Sequence, residues 1–169
     1  MSQSAQHRID ETDDERDVAA SALACLDRCL PLLGDAPDDL LRPLWACVSE
    51  GGTGWTDRLG EVRAVLTRVA DADGTVLVRK MIGAAPSSWD AAALRAWART
   101  CAATALELHE GLGGRPLAEA EERRQAQVLD FLAAAPSEGP ASGLRPVLEV
   151  SAEARRVLRA VVSRRERGL

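Results

Sequence analysis

Apolar positions recur along this chain at i, i+3, i+4 and i+7 in one stretch after another, the spacing of amphipathic helices. From Asp13 the first stripe is Val18, Ala22, Cys25, Leu26, Cys29, Leu30 and Leu33, and Gly34 stands where a helix C-cap would. Pro37 opens a second helix with Leu40, Leu41, Leu44, Trp45 and Val48 on one face, which the run Gly51, Gly52, Thr53, Gly54 breaks. A third helix runs from Thr56 to Ala70 with Leu59, Val62, Leu66 and Val69 inward. Thr75 to Ile82 carries strand-forming Val76, Val78 and Ile82, but a lone strand among helices would leave its backbone groups unpaired, so a short helix is expected.

Ser87 and Ser88 are N-cap candidates for a long helix carrying Leu94, Trp97, Cys101, Ala105, Leu108 and Leu112, which Gly111, Gly113 and Gly114 end. Pro116 starts the next segment. Its charged first half, Glu119 through Arg124, is expected to project, and its second half to bury Val128, Leu129 and Leu132. The last helix, from Ser151 to Arg167, sets Ala154, Val157, Leu158, Val161 and Val162 against Arg155, Arg156, Arg159, Arg164 and Arg165. The expected fold is all-α, a single compact bundle of about six or seven helices. Residues 1–12 would be a flexible acidic tail, 13–135 the bundle core, 136–146 a Pro/Gly-rich loop, and 147–169 an arginine-rich helix packed on the bundle.

Length and composition fit that picture. At 169 residues, 46% apolar and 28% charged, the chain can build one core without staples. Charged residues interrupt every apolar run well short of the ~20 residues a bilayer requires, and the polar, acidic start has no signal-type apolar segment. A cytoplasmic location is expected, with the cysteines as buried thiols. Abundant Ala, Arg, Gly and Asp are the mark of a bacterial high-GC genome. The arginine excess, with Lys80 the only lysine, is therefore weak support for nucleic acid, and the net charge of −5 opposes it.

Candidate chemistry is sparse. Cys25, Cys29, Cys47 and Cys101 fall on apolar stripes, which favours small core residues over a zinc shell completed by His109. Asp71-Ala72-Asp73-Gly74-Thr75 resembles the nucleophile motif of haloacid dehalogenase-type phosphatases. The preceding VLTRVA, however, reads as a helix end and not as that family's strand, and Lys80 follows too closely for its lysine. A helix-to-turn connection is the simpler reading. His109 has no recognisable nucleophile motif beside it and is expected to cap a helix C-terminus. The glycine runs lack a Walker ending. No catalytic residue, cofactor or metal ligand is assigned.

The remaining signal is surface. Acids at the N-terminal end oppose arginines at the C-terminal end, so the best reading is a non-enzymatic protein-interaction or adaptor module, able to self-associate. Its candidate surface is Arg155, Arg156, Arg159, Arg164 and Arg165, with the loop tryptophans Trp55 and Trp89. One alternative is a small-molecule-binding or catalytic bundle with an apolar pocket lined by Trp45, Trp97, Met81 and the cysteines. Another is nucleic-acid binding through the C-terminal arginine helix.

Overall fold

The computed structural model describes residues 2–34, 36–71, 74–134 and 144–168. Among them are seven α-helices, one 3-10 turn and no strand, so the all-α bundle expected from the periodicity is what the chain forms. The helices are α1 (Ser2–Asp10), α2 (Glu15–Cys29), α3 (Arg42–Ser49), α4 (Trp55–Leu66), α5 (Thr75–Gly83), α6 (Ala91–Ala134) and α7 (Leu144–Glu166), with a 3-10 turn over Leu30–Leu33 after α2.

The central element is α2. Every position from Val18 to Cys29 is buried, which an amphipathic surface helix cannot do and only a helix surrounded by others can. Its four small residues Ala19, Ala20, Ala22 and Ala24 let the neighbouring backbones approach closely. Asp14 starts it by accepting hydrogen bonds from the amides of Arg16 and Asp17. Pro31 has no N–H to donate, and the helix tightens into the 3-10 turn there.

The long helix α6 is in fact two arms. Gly114 has φ 68° and ψ −161°, a conformation only glycine adopts readily. A straight helix would hold Ala102 and Gln125 about 34 Å apart at 1.5 Å per residue. Gln125 Nε2 instead donates to Ala102 O at 3.0 Å, so the arms fold back on each other as a hairpin. Gly114→Ala is expected to destabilise the fold by about 1–3 kcal/mol, read as a lowered midpoint in thermal unfolding, because the added Cβ makes this backbone conformation unfavourable.

Several expectations need correction. Residues 2–10 are not a loose tail: they form α1, which buries Ala5 and Ile9. Pro37 does not open a helix. It begins a turn that buries Leu40 and Leu41, and α3 starts at Arg42 with Pro43 in its first turn, where a missing N–H costs nothing. Asp90, not Ser87 or Ser88, caps α6 by accepting from Ala93 N at 3.0 Å, while Ser88 Oγ donates to the other Asp90 oxygen. The last helix begins at Leu144, ahead of the expected Ser151, because Pro146 falls in its first turn. Thr75–Gly83 is the short helix anticipated. The loop expected over 136–146 falls mostly outside the described residues, as do Ala72 and Asp73 of the acidic turn.

Arginines close several helix ends. Arg63 donates to Gly83 O and Ala85 O at the end of α5, Arg79 to Leu66 O and Val69 O after α4, and Arg165 to Gly111 O at the end of the first arm of α6. A planar guanidinium presents five N–H donors in a fixed fork, which suits it to holding two carbonyls at once.

Candidate functional site

The groups with chemical potential meet in the core, out of reach of solvent. Arg28 on α2 and Glu121 on the second arm of α6 both have fully buried side chains and form a bidentate pair. Arg28 Nη2 lies 2.7 Å from Oε1, and Nε 2.9 Å from Oε2. Gln125 Nε2 adds a donor to Glu121 at 3.2 Å, and Arg28 Nη2 also reaches Cys25 Sγ at 3.3 Å. Burial pushes the Glu121 carboxyl upward, and Arg28, His109 and Gln125 more than offset it, leaving the group below the usual carboxylate range.

His109 joins this cluster from the first arm. Its Nδ1 donates to Ala105 O at 2.6 Å, and Nε2 lies 3.8 Å from Glu121. It is 2% exposed, so the expected helix-capping role is replaced by an interior one. The hairpin turn explains the difference: folding back at Gly114 carries the end of the first arm under the second. The cysteines are core residues, as their stripe positions imply. Burial pushes the Cys25 thiol up to about 12, and Cys29 and Cys101 well above the ordinary thiol value, so all three stay protonated while the core is closed. Among the described residues no group of three or more His, Cys, Asp or Glu side chains is placed to hold a metal ion.

The void beside this cluster is too small for a substrate. It measures about 10 Å³ and is lined by Ala5, Ile9, Cys25, Arg28, Ala102 and Gln125 among others. That is room for one water molecule. Trp45, Trp97 and Met81, expected around an apolar pocket, are all buried, and Trp97 Nε1 donates to Met81 O at 2.8 Å.

The surface residues singled out from the sequence separate into two groups. Trp55 is 2% exposed, donates from Nε1 to Pro86 O at 2.8 Å, and packs edge-on against Trp89 and Trp97 at 5.3 and 5.6 Å. It is a core residue and not a docking surface. Trp89 is half-buried and lies across Gly52, where a Cβ would come within 2.4 Å of its ring. Together they pin the Gly51–Gly54 turn to the core. On α7, Arg155 pairs with Asp27 at 2.6 Å and Arg159 with Asp38 at 2.7 Å, so both serve the fold. Arg156 and Arg164 are exposed, without an ion pair among the described residues.

A concavity between the arms of α6 was not visible in the sequence. The two arms of α6 leave a trough between them, and α1 lies in its far half. Gln6 donates to Arg99 O on the first arm, while Arg8 donates to Ala126 O and Asp130 on the second. The half nearer the hairpin turn is open, with a volume of about 620 Å³. Its floor is Ala103, Leu106 and Ala118, its walls carry Glu107, Glu110, Glu119 and Glu122, and Gln6 closes one end. Arg115 is the cation in the lining, and it is paired with Glu119 at 2.8 Å. Glu107, Glu110 and Glu122 leave net negative charge along an apolar floor.

No helix among the described residues is long and apolar enough to cross a membrane. No protein-family model, curated protein or solved structure matches this chain.

Proposed function

We propose that this chain is a non-enzymatic helical interaction module that docks a basic, amphipathic helix of a partner protein in the open half of the α6 trough. One observation carries the reading: the same trough already holds a helix. α1 lies between the arms with Ala5 and Ile9 buried at i, i+4, the anchor spacing of helix-in-groove recognition. The open half continues that line, with Ala103, Leu106 and Ala118 as an apolar floor where a helix can approach and carboxylates on both walls to pair with flanking cations.

The competing readings have less support. Catalysis would need Arg28, Glu121 or His109 to reach a substrate, and all three are buried, with Arg28 lining a void of about 10 Å³. Nucleic-acid binding would need the α7 arginines, of which Arg155 and Arg159 neutralise Asp27 and Asp38.

Charge reversal tests the reading without touching the core. Glu107→Lys combined with Glu110→Lys is expected to leave the unfolding midpoint within experimental error. It should weaken binding of a synthetic basic amphipathic peptide at least tenfold in fluorescence anisotropy at low salt. Equal binding by both proteins, or none by either, contradicts the trough as the site. A second copy of the chain in place of the peptide would appear as a salt-sensitive dimer in sedimentation, and would likewise replace the proposed partner.

A further inference from the structure

We propose that α1 is a displaceable strap, and that a partner helix long enough to span the trough takes its place. This extends the reading of the trough as a helix site and can fail separately from it.

Several observations converge. A nine-residue helix is marginal in isolation, so α1 depends on what it packs against. It buries only two apolar side chains, Ala5 and Ile9. Its other ties are polar: Arg8 to Asp130 and Ala126 O, Asp10 to Arg99 and Gln6 to Arg99 O, with Arg95 to Thr12 O just past its end. These lie wholly or partly in solvent, where ion pairs contribute little. The void sits directly beneath it, bounded above by Ala5 and Ile9 and below by Ser21, Cys25 and Arg28 of α2, so the seam under α1 is incompletely filled. Arg28 Nη1, on that lining residue, has no hydrogen-bond partner. Finally, α2 does not need α1 in order to start. Asp14 caps it from its own side chain, and residues 11–14 form a short non-helical link that can act as a hinge.

The contacts of α1 state what its replacement must carry. Apolar side chains at i and i+4 fill the places of Ala5 and Ile9, a cation at i+3 meets Asp130, and an acid at i+5 meets Arg99. A residue larger than alanine at the first anchor would occupy the void. A helix of about 20 residues is about 30 Å long, enough to cover both halves of the trough.

Cys25 is a native reporter of the opening, because it lines the void under α1, whereas its neighbours Cys29 and Cys101 are fully buried and do not line it. In the full chain treated with N-ethylmaleimide and mapped by peptide mass spectrometry, Cys25 is expected to react faster than Cys29 or Cys101. Ile9→Ala should raise the Cys25 rate at least tenfold and leave the other two nearly unchanged. Val62→Ala, a comparable loss in α4 away from α1, should not alter the ratio of Cys25 to Cys29. One common rate for all three thiols, in both the wild-type and Ile9→Ala chains, would mean that α1 leaves only on global unfolding and would overturn the strap.

Two basic amphipathic peptides separate the strap from the docking site. A peptide of about 20 residues should bind Ile9→Ala at least tenfold more tightly than wild type, whereas one of about 10 residues, fitting only the open half, should bind both alike. If neither peptide binds either chain, the docking reading fails. If both bind and the long one ignores Ile9→Ala, the strap fails alone.

Discussion

Glu121→Ala is expected to cost about 3–5 kcal/mol of folding stability, among the largest effects of any single substitution in this chain. The loss comes less from the ion pair than from what is left behind. Arg28 has no exposed surface, and among the described residues its three hydrogen bonds to protein oxygen all end on Glu121. An arginine cannot shed its proton, so the variant must hold an uncompensated charge in the core or open the bundle to hydrate it. Removing both charges is a different matter. Arg28→Met with Glu121→Leu keeps the volume apolar and is expected to be neutral or stabilising. Urea unfolding of the two variants checks the contrast.

The same pair sets the acid limit of stability. The Glu121 carboxyl titrates lower in the folded chain than its ordinary value of 4.5. Its contribution is therefore complete above that value and is lost as pH falls through the lower, folded-state pKa. The stability-against-pH curve should fall steeply below about pH 4.5, and the Arg28→Met, Glu121→Leu variant should lose part of that slope.

Trp55→Ala is the second large effect, about 3–5 kcal/mol, from removal of a buried indole and the cavity it leaves. Trp55 also holds Pro86 O and touches the rings of Trp89 and Trp97. Trp55→Phe, which keeps most of the apolar contact but orphans the Pro86 carbonyl, should cost about 1–3 kcal/mol. Trp89→Ala, at a half-buried ring, should cost less than Trp55→Ala. Equal costs for Trp55→Ala and Trp89→Ala in denaturant titrations would contradict the distinction drawn between an interior and a loop-pinning tryptophan.

The sequence made the core helices legible because their stripes are long and strongly apolar. The run from Val18 to Leu33 could hardly be anything else, and the cysteines on it were readable as packing residues. α1 was illegible for the opposite reason. Its anchors are one alanine and one isoleucine in a polar segment, and they are buried only because the α6 hairpin provides a trough. Glu121 lies in the run Glu119 through Arg124, which resembles a solvated face. The signal that it points inward was nonetheless present: Glu121, Gln125, Val128 and Leu132 continue one helical stripe. Its partner could not be read, because Arg28 is 93 residues away and only the hairpin brings the two together. The trough itself depends on Gly114, which the sequence marks only as a helix end.

The central claim is that recognition occurs between the arms of α6 and not on the arginine face of α7. The most direct measurement is a backbone-amide NMR titration of the full chain with a basic amphipathic peptide of about 10 residues at low salt. The account predicts shifts concentrated at Gln6, Ala103 to Glu110 and Arg115 to Glu122, weakening as salt is raised. Shifts confined to Arg156, Val157 and Arg164 on the outer face of α7, or none at millimolar peptide, would contradict it.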